Sequence, residues 1–316
     1  MVRANEKITE TEAAKISIWR LGGLSWRTLA WRVWNEIYAG ALLTHAAALA
    51  FYFLFALFPL LLFLVTLLGL LAETGTEMRS TLFRFLSRVA PPSAFALIDE
   101  TLLEIAANAG GLRLWLGLAS ALWFASLGIA ALSESLNAMY GVRESRPFWK
   151  VRLAAVGLTV ALVVLIVSAL MLMLYGGEIG TSAADHFEQG TLFTTLWTIA
   201  QVPLALVFVL FAFALIYYYA PDLYEQKWYW ITPGSLVGVT LWLIVSFGFR
   251  LYLRHFDSYS LTYGSLGAVI VLMLWFYLTG VSILIGGKIN AEIEGAAAEV
   301  GVPGAKQHGE KAADSN

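Results

Sequence analysis

The chain has no cysteine, which excludes disulfides, thiol chemistry and Cys-based zinc or iron–sulfur sites. Charge is scarce as well. Asp, Glu, Lys and Arg make up 13% of the 316 residues, against about 25% in soluble proteins. Twenty basic and 22 acidic side chains nearly cancel, so no global basic field is available for nucleic acid. The four histidines (His45, His186, His255, His308) stand far apart, and none falls in a paired metal-ligand spacing. GxSxG, GxxxxGK[ST] and GxGxxG are all missing. A metal-dependent nuclease needs clustered carboxylates or histidines beside a basic groove, and the sequence shows neither. These gaps argue against an enzyme, a cofactor or a nucleic-acid partner.

Long apolar runs fill the chain instead. Hydrophobic residues are 59% of the total, and mean hydropathy is +0.73. Ala41–Leu71 holds no Asp, Glu, Lys or Arg, and about 18 apolar residues already suffice to cross a bilayer as a helix. Six spans are expected: Leu42–Leu71, Leu112–Asn137, Val151–Tyr175, Leu192–Tyr219, Ile231–Tyr252 and Thr262–Gly287. The fold class is therefore all-α: a polytopic membrane protein of six transmembrane helices. An amphipathic helical hairpin is expected between spans one and two. There TEMRSTLFRFLSRV and SAFALIDETLLEIAANAG flank Pro91-Pro92, with Ser93 as an N-cap. Residues 1–24 read as a polar N-terminal segment without the apolar core of a signal peptide. Residues 25–294 read as the membrane domain, and residues 295–316 as a disordered tail.

Loop charges set orientation. With the N-terminus in the cytoplasm, fourteen of the twenty Lys and Arg fall on the cytoplasmic side and six opposite. Both termini are thus expected to be cytoplasmic, with the chain in the bacterial inner membrane. Before span one, SWRTLAWRVWNEIY interleaves Trp26, Trp31 and Trp34 with Arg27 and Arg32. It fits either a helix lying in the headgroup layer or a continuation of span one.

Several residues interrupt the apolar pattern. Pro59 cannot donate to the carbonyl of Phe55, and Pro203, which follows Gln201, repeats the break in span four. Such breaks form mid-membrane sites in transporters and also occur in ordinary spans. Glu134 lies near the inner end of span two, close to Asn137; a carboxylate there carries protons or substrate, or simply reaches the interface. Lys288 at the end of span six has two candidate partners, Glu292 at i+4 and Glu134 across helices. Tyr259, Tyr263 and Gly264 open span six, where small residues permit close helix approach.

THAAALAFYFLFALFPLLLFL, ESLNAMYGVRESRPFWKVRL, YYYAPD, TPGSLVGVTLW and YGSLGAVIVLMLWFYLTG…GGKINAEIE, read together, resemble the YihY/BrkB family of bacterial inner-membrane proteins. The resemblance runs from about Trp26 to Glu294. It implies six spans and an unsettled activity: some members have carried a ribonuclease BN label regarded as misassigned, while others are tied to serum resistance or envelope lipid export. Glu134, Asn137, Tyr140, Asn290 and Glu292 fit the family pattern. Lys288 departs from it, because the family usually has an acidic residue there. The function expected is permease- or flippase-like handling of a lipid-like or amphipathic envelope substrate, with membrane lipids as partners. A non-transporting assembly factor of the envelope is the alternative, and a tRNA-processing ribonuclease ranks third.

Overall fold

The computed structural model describes residues 18–71, 112–186, 190–223, 231–255 and 259–300. A 3-10 turn (Ile18–Gly23) leads into α1 (Trp26–Tyr38). Six long helices follow: α2 (Ala41–Leu71), α3 (Leu112–Tyr140), α4 (Phe148–His186), α5 (Gly190–Tyr219), α6 (Pro233–His255) and α7 (Tyr259–Glu299). Among the described residues there is no strand. Each of α2 to α7 contains a stretch long and apolar enough to cross a membrane, as expected where backbone groups must be satisfied within their own helix.

Two helices outrun their expected ends. α4 continues from Tyr175 to His186 across three glycines, and α7 continues through the first five residues assigned to the tail. The hairpin between spans one and two, and residues 301–316 of the tail, lie outside the described residues.

Local chemistry explains the turns. Ser25 caps α1 by accepting from the Thr28 amide at 3.2 Å. α1 then stops at Gly40, whose φ of +81° disfavours any side chain, so it is a helix of its own and no continuation of α2. α3 ends in a Schellman motif: Gly141 has φ +69°, its amide donates to Ala138, and that of Val142 donates to Asn137. α6 starts with a reciprocal cap. The Ser235 amide donates to Thr232 Oγ1 at 3.0 Å and the Thr232 amide to Ser235 Oγ at 2.9 Å. Pro233, with no amide proton to satisfy, takes the first helical position.

α7 is the central element, touching α2, α3, α6, α1 and the 3-10 turn. The base of the bundle, where α2 begins and α3 and α7 finish, holds the core. Leu42, Ala46 and Leu49 meet Leu132, Leu136 and Met139 there, with Ile216, Tyr217 and Leu284. Burial thins away from this end, although Phe63 of α2, Val163 of α4 and Phe276 of α7 are still buried. No residue is buried from 115 to 124 in α3, from 195 to 212 in α5 or from 240 to 253 in α6. In α3, α5 and α6 the described part of the far half is therefore apolar and packs loosely.

Candidate functional site

Two polar groupings gather at the base, and a third lies deeper. The first joins α1 to α7. Leu29 and Val33 of α1 pack on Ile289 and Ile293 of α7, contacts worth about 1.5–3 kcal/mol for each fully buried aliphatic side chain. Beside this apolar seam, Lys288 is buried at 3% exposure. Its Nζ lies 3.1 Å from Glu292 Oε1 and 3.3 Å from Glu36 Oε2. Arg32 Nη1 adds a 3.3 Å contact to Glu292 Oε2. Its 3.8 Å contact to exposed Glu299 is of the kind that contributes about 0–1 kcal/mol. Apolar contact therefore holds α1 in place, while the ion pairs neutralise Lys288. The opposite face of α1 exposes Trp26, Trp31, Trp34 and Tyr38.

Lys288 thus takes the i+4 partner that its spacing anticipates. Glu134 is not part of the site: it is exposed, while Ser133, Ser135, Leu136 and Asn137 around it are buried. At about 100° per residue, Glu134 and Ala138 share the one outward stripe of this segment. The cross-helix pairing of Glu134 with Lys288 is therefore absent. Glu36 was not singled out as a site residue, since nothing local in the sequence connects it with a lysine at the far end of the chain.

The second grouping clips two connections together. Asn137, buried at the end of α3, donates to Glu144 Oε2 at 2.9 Å and accepts from the Asp222 amide at 2.6 Å. Arg146 forks onto Glu144, with Nε 2.8 Å from Oε1 and Nη2 2.7 Å from Oε2. The same guanidinium reaches Ala220 O and Ser133 Oγ, and lies 3.5 Å from Asp222 Oδ1. Ser145 donates to Asp222 Oδ2 through both its amide and its hydroxyl. Burial alone would raise the Glu144 pKa, but the hydrogen bonds and charge of Arg146, with the Asn137 amide, hold it below the usual carboxylate range. Arg146 is correspondingly pushed further up by Glu144.

Close glycine packing locks α6 to α7 beside this clip. Asn290 Oδ1 accepts from the Gly234 amide at 2.9 Å, which satisfies a first-turn donor of α6. A Cβ on Gly234 would stand 2.1 Å from Gly286 O. The buried Tyr217 hydroxyl donates to Ile283 O at 2.8 Å. Tyr140 is buried with Val142 and Ala291. Asn137, Tyr140, Lys288, Asn290 and Glu292 therefore share the base.

The third grouping lies deeper, between α4 and α3. Arg152 is buried at 5% exposure, with its guanidinium carbon 4.3 Å from the centre of the Trp123 ring. Its Nη2 donates to the Trp123 carbonyl, while Nε has no hydrogen-bond partner. No carboxylate pairs with it among the described residues. Arg152 was counted as an ordinary flanking charge in the sequence; only its place as second residue of the expected third span hinted at burial.

The helix-breaking residues stand elsewhere. α2 and α5 run unbroken through Pro59 and Pro203. Pro59 is half-buried and Pro203 exposed, and the buried Gln201 Nε2 has no partner. Tyr259, Tyr263 and Gly264 open α7, where the backbone alone is described. Among the described residues no three His, Asp or Glu side chains gather as a metal site.

A family model described as "Virulence factor BrkB" matches residues 33–310. A Bacillus subtilis (strain 168) protein described as "Putative ribonuclease-like protein YfkH" is 38% identical over 248 residues, which is 78% of this chain and 88% of that protein. UPF0761 membrane proteins from Xanthomonas campestris pv. campestris (strain B100) and Xanthomonas axonopodis pv. citri (strain 306) are each 26% identical over 270 residues, 83% of this chain. The chain spans 59% and 60% of their respective lengths. No solved structure matches.

Proposed function

Because the chain belongs to the BrkB virulence-factor family and is an integral membrane protein, we propose that it handles a lipid-like or amphipathic envelope substrate as a permease or flippase. In this reading it lies in the bacterial inner membrane with both termini in the cytoplasm, performs no enzymatic step, and draws its substrate from the surrounding lipid. The observation that carries the proposal is the asymmetry of the bundle: a sealed, ion-paired base under a far half in which α3, α5 and α6 bury no side chain over ten to eighteen residues. A loosely packed apolar half beneath which charge is held gives both ends of an amphipathic molecule a place to go. The fourteen-to-six bias of Lys and Arg read along the sequence supports the cytoplasmic orientation of the termini.

The test is reconstitution of the purified chain in liposomes with a panel of fluorescent lipids and an ion-flux control. Protein-dependent movement of at least one lipid is expected, slowed by Pro59→Ala. Absence of movement for every probe would overturn the proposal in favour of an envelope assembly factor, the reading that the rigid α6–α7 glycine contact favours. Metal-dependent cutting of tRNA by protein freed of soluble nucleases would instead revive the ribonuclease reading.

A further inference from the structure

Arg152 is the one described basic side chain that is both buried and without a carboxylate partner. Lys288, the other buried cation, has two. A guanidinium inside a span is costly, and it is ordinarily found facing a charge or a wet site. Here the contacts are an aromatic face and a backbone carbonyl. Both are weak substitutes for an anion, and the Nε–H is left with no acceptor.

The depth is informative. Trp123 precedes Tyr140 by 17 residues, or about 25 Å of helix rise, so this charge is held far along α3 from its base end. Trp123 also marks where α3 changes character: residues 115–124 carry no buried side chain, and burial begins at Ala125. The guanidinium therefore sits on the floor of the loosely packed half. The Trp123 ring stacked on it is itself 45% exposed, and next to it Phe124 is 53% exposed. These rings offer an exposed apolar surface beside Arg152.

We propose that Arg152 is the anchor for the phosphate of an anionic lipid, with Trp123 holding the guanidinium and presenting the apolar surface for the first acyl carbons. Arginine suits this role because its planar fork matches phosphate oxygens and stays protonated at any accessible pH. The proposal names the substrate class for the lipid-handling reading and draws its physiological meaning from it, but the binding site is testable without transport.

The experiment uses the full chain in detergent and measures Kd and lipid-induced thermal shift for four probes: dioctanoyl phosphatidate, dioctanoyl phosphatidylglycerol, dioctanoylglycerol and inorganic phosphate. Wild type is expected to bind the two phosphate-bearing lipids and to gain thermal stability from them. Dioctanoylglycerol is expected to give no shift, and inorganic phosphate to bind far more weakly than either lipid. Arg152→Gln is expected to raise Kd for both lipids by about 10- to 100-fold, the effect of losing a charge-assisted hydrogen bond. Arg152→Lys, which keeps the charge and loses the fork, should fall between them and covers the case in which the Gln variant fails to fold. Arg143→Gln, at an exposed position, should match wild type.

Equal lipid binding by wild type and Arg152→Lys, with Arg152→Gln equal or unfolded, would overturn the proposal. So would equal responses to phosphatidate and dioctanoylglycerol, or inorganic phosphate binding as tightly as the lipids. The same variants in the flux assay separate the two readings. Lipid binding and flux that both persist without Arg152 remove the anchor and leave the transport reading standing. Arg152-dependent binding without flux keeps the anchor and removes transport.

Discussion

Lys288 Nζ, in the last third of the last helix, stands 3.3 Å from Glu36 Oε2 in the first. This contact makes α1 a neutralising cover over a buried charge, because Glu292 alone would leave the amine open on its α1 side. Its removal has a sign that can be worked out. Lys288→Met leaves two carboxylates facing each other next to an apolar seam. Loss of one partner of a buried pair costs about 3–5 kcal/mol, and partial exposure of Glu36 (31%) places this case at the low end. Glu36→Gln should cost about 1 kcal/mol, and Glu134→Gln nothing measurable. Thermal melts of the three variants and the double mutants check this. Coupling is expected between Lys288 and Glu36, and additivity between Lys288 and Glu134. Coupling in the second pair would refute the arrangement.

The spans were legible because hydrocarbon leaves few choices: a long uncharged run must be a helix, and six such runs became α2 to α7. The Lys288–Glu292 pair was legible from i+4 spacing. Glu36 and Arg152 were not, for different reasons. Glu36 meets Lys288 only because Gly40 turns α1 back against α7, a tertiary event with no periodic trace. Arg152 looked like a flanking loop charge because the connection after Gly141 runs back along α3. Arg146 thereby reaches Ser133, two turns before the end of α3, and α4 starts deep. Of the two readings of Glu134, the exposed position agrees with the interface one, and its phase was available: the residues flanking it on both sides form one buried face, which leaves position 134 pointing away.

Acidification should open the clip between the two base connections. Glu144 has a depressed pKa in the folded protein, so its contribution is fully present above its unfolded value of about 4.3 and fades as pH falls through the lower folded value. Wild type and Glu144→Gln should therefore differ at pH 7, by about 1 kcal/mol for a half-exposed charge-assisted bond. The difference should narrow as pH falls below about 4. Melting curves of both proteins from pH 7 to pH 3 measure it, and an offset that stays constant over that range would show that Glu144 does not act through its charge.

Pro59 denies Phe55 its helical donor inside an otherwise continuous α2. Replacement by alanine should restore that bond and raise the melting temperature, since proline in a helix interior costs about 3 kcal/mol relative to alanine. If the break serves as a hinge, the same variant loses lipid movement while gaining stability. A stabilised variant with wild-type flux would make Pro59 an incidental kink.

Glycines in neighbouring helices should respond in opposite directions. A Cβ on Gly286 would stand 2.2 Å from the Tyr217 hydroxyl and 2.5 Å from Gly234 O. The hydroxyl is pinned by its bond to Ile283 O, and the second atom is backbone, so neither can withdraw cheaply. Gly286→Ala should cost about 1–3 kcal/mol or more through overpacking. Tyr217→Phe should relieve part of that cost in the double mutant by removing one clashing atom. Gly248 of α6 has nothing within 4 Å of its virtual Cβ, so Gly248→Ala should stabilise by up to about 1 kcal/mol through helix propensity alone. Thermal melts of the single and double variants separate the two effects. If Gly286→Ala were as well tolerated as Gly248→Ala, the α6–α7 contact would have to be looser than the 2.5 Å approach requires, and the base of the bundle would no longer be the rigid end.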